Sequence, residues 1–243
     1  MGNEVPYGEE GWLNLTYWDG AAWHRLPTWL DTDTNTASAP LVGPGLYALM
    51  SSLEIPLTGP GWNLIAYPVQ ETRPVTQALL SVSGHYTTVY GFDVGDDADP
   101  WKMYDVTVPT WVNDLAVLEF GQGYWLQTPE SITLYLKGGT TIGMLSTMMS
   151  PPATYYGRVL EGEDFVPEVG LEVRALVDGA LCGRGTTAEI DGDIVYTLNV
   201  SGGGDADGCG ASGMSVTMSV DGKIMTPAPE WDNDRVQEID LRR

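Results

Sequence analysis

Basic residues are scarce in this chain. Eleven lysines and arginines stand against 33 aspartates and glutamates, a formal net charge of −22. Only Lys102, Lys137 and Lys223 are lysines. A surface of this sign repels phosphate, which argues against nucleic acid and against anionic membranes as partners. It favours solubility, because copies repel one another; a salty habitat or divalent cations are the functional alternatives. Long apolar runs are missing too. No stretch of about 18 apolar residues occurs, so no membrane-inserting helix is expected. The opening "MGNEVPYGEEGW" has neither a basic start nor an apolar core, so it is no signal peptide. If the protein is secreted, the chain is expected to be a mature piece or a fragment.

Histidine is nearly absent. His24 and His85 are the only two, and neither stands in a Ser-His-Asp or Cys-His pattern. G-x-S-x-G, H-E-x-x-H and phosphate-loop motifs do not occur. No enzyme is expected. Acids that could pair as in a glycosidase are so numerous that their presence discriminates nothing. Cysteine is limited to Cys182 and Cys209, in the Gly-rich stretches "LCGRG" and "DGCGASG". Two cysteines and two distant histidines lack zinc spacing. A disulfide is the expected use. It would close a loop between residues 27 apart, worth about 3–4 kcal/mol by loop entropy, and implies an oxidising compartment.

What is abundant is turn chemistry. Asp-Gly occurs at 19–20, 178–179, 191–192, 207–208 and 221–222. Between alternating apolar residues this pair marks a tight hairpin. The flanks alternate: Leu171, Val173, Ala175 and Val177; Ile194, Tyr196, Leu198 and Val200; Met214, Val216, Met218 and Val220. Period two with polar residues opposite means half-buried antiparallel sheet, and several such strands suggest a sandwich. Helical signal is confined to 74–82, with Pro74 near its start, and 111–120, capped by Asn113. The expected fold is mainly β, built of tandem antiparallel modules with one or two short helices in the middle one. Three segments are expected: 1–57, a few strands that form the tail of a larger domain; 58–150, a β module plus a linker strand; and 151–243, a disulfide-bearing sandwich.

"GFDVGDDADPW" (91–101) carries Asp93, Asp96, Asp97 and Asp99. An EF-hand register fails from either start, since Lys102 or Gly95 falls on a position that calcium needs. The stretch fits a turn between strands, with Gly95 bending it and Pro100 fixing the exit. An irregular calcium site is the alternative. Asp205 and Asp207 in "SGGGDADGCGASG" read as a loop pinned by Cys209. Trp12, Trp18, Trp23 and Trp29 crowd into 18 residues. Leu13, Leu15 and Tyr17 alternate, leaving Trp12 and Trp18 on the opposite face. If that face is open, it is a platform for sugar rings; if covered, the pair is core. Asn14-Leu-Thr16 and Asn199-Val-Ser201 are glycosylation sequons.

"GWNLIAYPVQ", "YTTVYGFD", "DPWKMYD", "NDLAVLEFGQGYWLQT" and "ITLYLKG" follow one another over about 80 residues. In that order they resemble a module of secreted and cell-surface proteins of archaea and Chloroflexi-like bacteria. That module opens on Gly-Trp-Asn-Leu and closes on Gly-Tyr-Trp and a final strand. "YWDGAAWHRL" through "GLYALM" looks like the last strands of a β-sandwich common in such proteins. The segment from "ATYYGRVL" is similar to prealbumin-like or carboxypeptidase-regulatory-like sandwiches. The resemblance implies an extracellular, non-catalytic, structural or adhesive surface component. Its partners would be other copies or extracellular polysaccharide. The alternative is a carbohydrate-binding module of a larger secreted enzyme.

Overall fold

Alternation and tight turns produce a mainly β protein. The structure, a computed structural model, describes residues 10–21, 23–137, 150–162, 164–204 and 208–243. The described residues up to Tyr86 and from Ala116 to 137 form one unit; Thr87–Leu115 and those from 150 onward form another. The first unit begins with β1 (Leu13–Trp18), β2 (Trp23–Arg25), β3 (Trp29–Asp31), β4 (Thr36–Ser38), β5 (Leu46–Leu57), β6 (Gly61–Ala66) and β7 (Arg73–Pro74). The second unit takes β8 (Thr88–Phe92) and β9 (Trp101–Asp105). The first resumes with β10 (Val117–Leu118), β11 (Gly123–Thr128) and β12 (Ile132–Lys137).

The long strand β5 organises the first unit. Its first half pairs with β1 and its second half with β12, both antiparallel, giving the order β12-β5-β1-β2. The strands before residue 57 therefore share a sheet with a strand from beyond residue 130. β6 pairs with β11 over six positions. The motif Gly61-Trp62-Asn63 has a local reason. The Asn63 carboxamide accepts from Thr58 N at 2.7 Å and donates to Thr58 O at 3.0 Å, clamping the turn that enters β6. The expected helix at 74–82 is present as α1 (Val75–Ala78) and a 3-10 turn, Leu80–Val82, with Pro74 preceding it.

Residues 150–243 add β13 (Ala153–Arg158), β14 (Glu172–Val177), β15 (Ala180–Thr186), β16 (Ala188–Ile190), β17 (Asp193–Val200), β18 (Val216–Val220), β19 (Lys223–Ile224) and β20 (Gln237–Glu238). They form two four-stranded sheets, β16-β17-β13-β20 and β15-β14-β18-β19. Tyr155, Val173, Ala175, Val177, Leu198, Val200, Val216, Met218 and Val220 are buried in the shared core. The expected inward residues of β14, β17 and β18 are thus largely the ones that pack. Three Asp-Gly pairs make two-residue hairpins: Asp178-Gly179, Asp191-Gly192 and Asp221-Gly222. Both residues of each pair have positive φ, 48° and 84° in the first, the geometry that matches strand twist. β15 also packs against β17. A side chain at Gly183 would strike the carbonyl of Asn199, so glycine is what allows the approach. Cys182 and Cys209 form the disulfide, with Cα atoms 5.4 Å apart and both residues buried.

Thr87–Leu115 groups with the residues from 150 onward. The buried Tyr90 hydroxyl donates to Thr154 Oγ1 at 2.7 Å, and Thr154 donates to Asn199 Oδ1 at 2.6 Å. The helix expected over 111–120 shrinks to a 3-10 turn, Thr110–Val112, and Val117–Leu118 is strand. Asn113 does not cap it. Its side chain accepts from Asp105 N and donates to Asp105 O, while Asp114 Oδ1 accepts from Met103 N at 2.6 Å. These side chains act as a partner for the edge of β9, and that pairing outweighs helical periodicity. Of the linker stretch, 138–149 lies outside the described residues, and its end is β13.

Candidate functional site

Asp93 and Asp96 are occupied locally. Asp93 Oδ1 accepts from Gly95 N at 2.8 Å. Asp96 Oδ1 accepts from Ala98 N and Asp99 N at 3.2 and 3.1 Å. These are Asx turns, in which a short carboxylate satisfies amides two or three residues on. Lys102 then takes the position that a cation would need. Its Nζ lies 2.8 Å from Asp96, 3.9 Å from Asp99 and 3.7 Å from Asp114. The ion-paired hydrogen bond from Lys102 holds the Asp96 carboxyl below its usual range. Burial pushes Asp99 and Asp114 up, and the opposing pull of Lys102 does not cancel it. Of Asp93, Asp96, Asp97 and Asp99, Lys102 gathers Asp96 and Asp99. Among the described residues no three His, Cys, Asp or Glu side chains are grouped to hold a metal. No local sequence pattern places Lys102 among these acids, although the rarity of lysine sets it apart.

The residues that shape a recess lie elsewhere in the same unit. Val112 is buried and anchors the 3-10 turn. The turn closes through Val112 N to Pro109 O at 3.0 Å and Asn113 N to Thr110 O at 3.2 Å. With its neighbour inward, half-buried Trp111 is turned to the surface of the β16–β17 hairpin. Its ring meets Tyr156 edge-on at 5.7 Å and 76°. Trp111 stands between two open hollows. One, of about 440 Å³, is bounded by Asp99, Glu172, Arg184, Thr186 and Thr197. The other, of about 250 Å³, is bounded by Tyr156, Arg158, Asp191, Asp193 and Glu238. Ile190 and Val195 line both. Glu172 is bound by Arg174 at 2.6 Å, with Arg184 at 3.8 Å. Arg158 pairs with Asp240 at 3.0 Å. Asp99 accepts from Asn199 Nδ2 at 3.1 Å. Most of the charge around the first hollow is therefore balanced within the protein.

The other candidates fall differently. Trp12 and Trp18 are half-buried, and between them on the same side Asn14 and Thr16 are buried. The covered side of β1 is thus its polar one. Asn14 Nδ2 bonds Trp12 O and Ser52 Oγ, and Thr16 Oγ1 bonds Ala48 O. Trp18 lies opposite Trp23, with rings 5.4 Å apart and inclined at 51°. Trp23 and Trp29 are the exposed tryptophans of the segment. His24 pairs with Asp19 and His85 with Glu130, each at 2.6 Å. Both sequon amides are engaged, since Asn199 Nδ2 also donates to Trp101 O at 2.9 Å. Asp205 and Asp207 lie outside the described residues. The rest of their loop packs on buried Trp231, whose Nε1 donates to Val200 O at 3.0 Å. No family model, curated protein or solved structure matches this chain.

Proposed function

We propose that this chain is a non-catalytic structural or adhesive component of an extracellular or cell-surface assembly. The observation that carries the reading is the Cys182–Cys209 disulfide, buried in a sandwich of two antiparallel sheets. Bridges of this kind persist in oxidising compartments. Two further features support it. A charge of −22 keeps copies dispersed at high concentration. The Gly-Trp-Asn-Leu to Gly-Tyr-Trp segment resembles modules of secreted surface proteins. The partners are other copies of the surface protein or extracellular polysaccharide. Calcium is not needed for this reading, since Lys102 already pairs with Asp96 and Asp99. A membrane-impermeant amine label applied to intact producing cells tests it. Labelling of this chain alongside an unlabelled cytosolic marker is expected; a chain protected until lysis overturns the reading.

A second reading, a carbohydrate-binding module attached to a secreted enzyme, is favoured by one observation: the two hollows flanking Trp111. Binding to polysaccharide without any cleavage of it is the outcome that this reading requires.

A further inference from the structure

We infer that the trough running past Trp111 is a binding site for an extended neutral polysaccharide. This rests on the carbohydrate-binding reading and assigns it a place, a ligand charge and residues.

The larger hollow, about 440 Å³, falls in the range of small-ligand sites. The second continues past the same three side chains, Trp111, Ile190 and Val195. Two adjoining open hollows suit a polymer better than a compact molecule. Next comes the floor. A half-buried indole next to Ile190 and Val195 offers apolar surface to the C–H face of a sugar ring. The turn that carries Trp111 is hydrogen-bonded and anchored by Val112, so little ordering is needed on binding.

The walls set the ligand's chemistry. Thr186 and Thr197 contribute hydroxyls, and Arg184, 58% exposed, contributes guanidinium donors that Glu172 holds only at 3.8 Å. Hydroxyl-rich ligands use such groups. Anionic ligands are poorly served, and the acids of the larger hollow are not free to hold a cation. Asp99 and Glu172 are already committed to Asn199 and Lys102, and to Arg174. The carboxylates of Asp191, Asp193 and Glu238 at the far end repel polyanions. A neutral chain meets neither cost.

Affinity electrophoresis through gels containing hydroxyethyl cellulose, laminarin, xylan or mannan tests the proposal, with alginate as the anionic control and a poly-lysine titration as the cationic one. Retardation by at least one neutral polymer and none by alginate is expected. Trp111→Ala should weaken the effective gel by tenfold or more, and Arg184→Ala, on an exposed position, severalfold. Near-wild-type melting curves for both exclude misfolding, and Trp111→Phe should recover part of the retardation if Trp111→Ala proves unstable. If a neutral polymer retards the wild type but Arg184→Ala and the Trp111 variants bind equally well, the assigned trough is wrong while the carbohydrate reading survives. If no neutral polymer retards the chain, or alginate or poly-lysine binds instead, both fall.

Discussion

Asn199 ties together three partners in the second unit. It accepts from Thr154 and donates to Asp99 and to the Trp101 carbonyl. Truncation would leave the Thr154 hydroxyl and that carbonyl without their partner in a site shielded from water. Asn199→Ala should therefore cost about 2–4 kcal/mol, read from urea unfolding. A value under about 0.5 kcal/mol would mean that water replaces the side chain. Gly183 makes a second residue-scale case. A methyl there meets the Asn199 carbonyl, which belongs to rigid sheet. Gly183→Ala should destabilise by about 1–3 kcal/mol, whereas an alanine that leaves the midpoint unmoved would mean that the sheets part at little cost. The sequence shows this glycine but not its reason, because the close approach joins strands that are distant along the chain.

At the scale of elements, the 93–101 connection is held by charge. Asp99 and Asp114 have raised folded values, mainly from burial. Between the ordinary aspartate value and those raised values, the folded state binds more protons than the unfolded one. Their contribution to stability thus grows as pH falls through that window. Asp96 is depressed, first by its hydrogen bond from Lys102, so its contribution is present above the ordinary value and is lost as pH falls through the folded one. Acidification from neutrality should raise the melting temperature slightly before lowering it. Asp99→Asn with Asp114→Asn should flatten the rise; a rise of equal size in the double variant would assign it to net charge alone. Lys102→Met should cost about 1–2 kcal/mol near neutral pH by leaving three carboxylates together. Calcium against chelator should leave the wild-type melting temperature unchanged.

Elements also mark where sequence reasoning reaches. Strands β14, β17 and β18 and their Asp-Gly turns are legible because alternation and turn chemistry are local signals. The helix expected at 111–120 is not realised, because Asn113 and Asp114 find backbone partners on β9, a contact that no window of sequence contains. Trp111 was hidden inside that expected helix. Its place beside the β16–β17 hairpin depends on a buried neighbour and on a strand pair some eighty residues later. The Asp93–Asp99 stretch was readable as a turn; the ammonium at its centre was not, since one lysine three residues on carries no periodic signature.

At the scale of the whole molecule, the disulfide closes a 27-residue span. Reduction should lower stability by about 3–4 kcal/mol on the loop-entropy account, and Cys182→Ala with Cys209→Ala should do the same in the presence or absence of reductant. Equal melting of oxidised and reduced protein would show that the buried sulfurs contribute only as packing. The bridge and the sheet order have a joint meaning for a molecule under tension. β13 and β20 run parallel, with Ile239 N bonded to Tyr156 O and Leu241 N to Arg158 O. A pull applied at residue 150 and residue 243 drags these strands in opposite directions along their length. Their hydrogen bonds are then loaded together and fail as a group, not one after another. Once they fail, the chain between Cys182 and Cys209 stays locked. At about 3.5 Å per residue, roughly 95 Å of contour length is withheld until a reductant releases it. Single-molecule extension of the second unit should show one high-force event whose length increases by that amount on reduction. The sandwich would then be a load-bearing clamp with a reserve of slack under redox control.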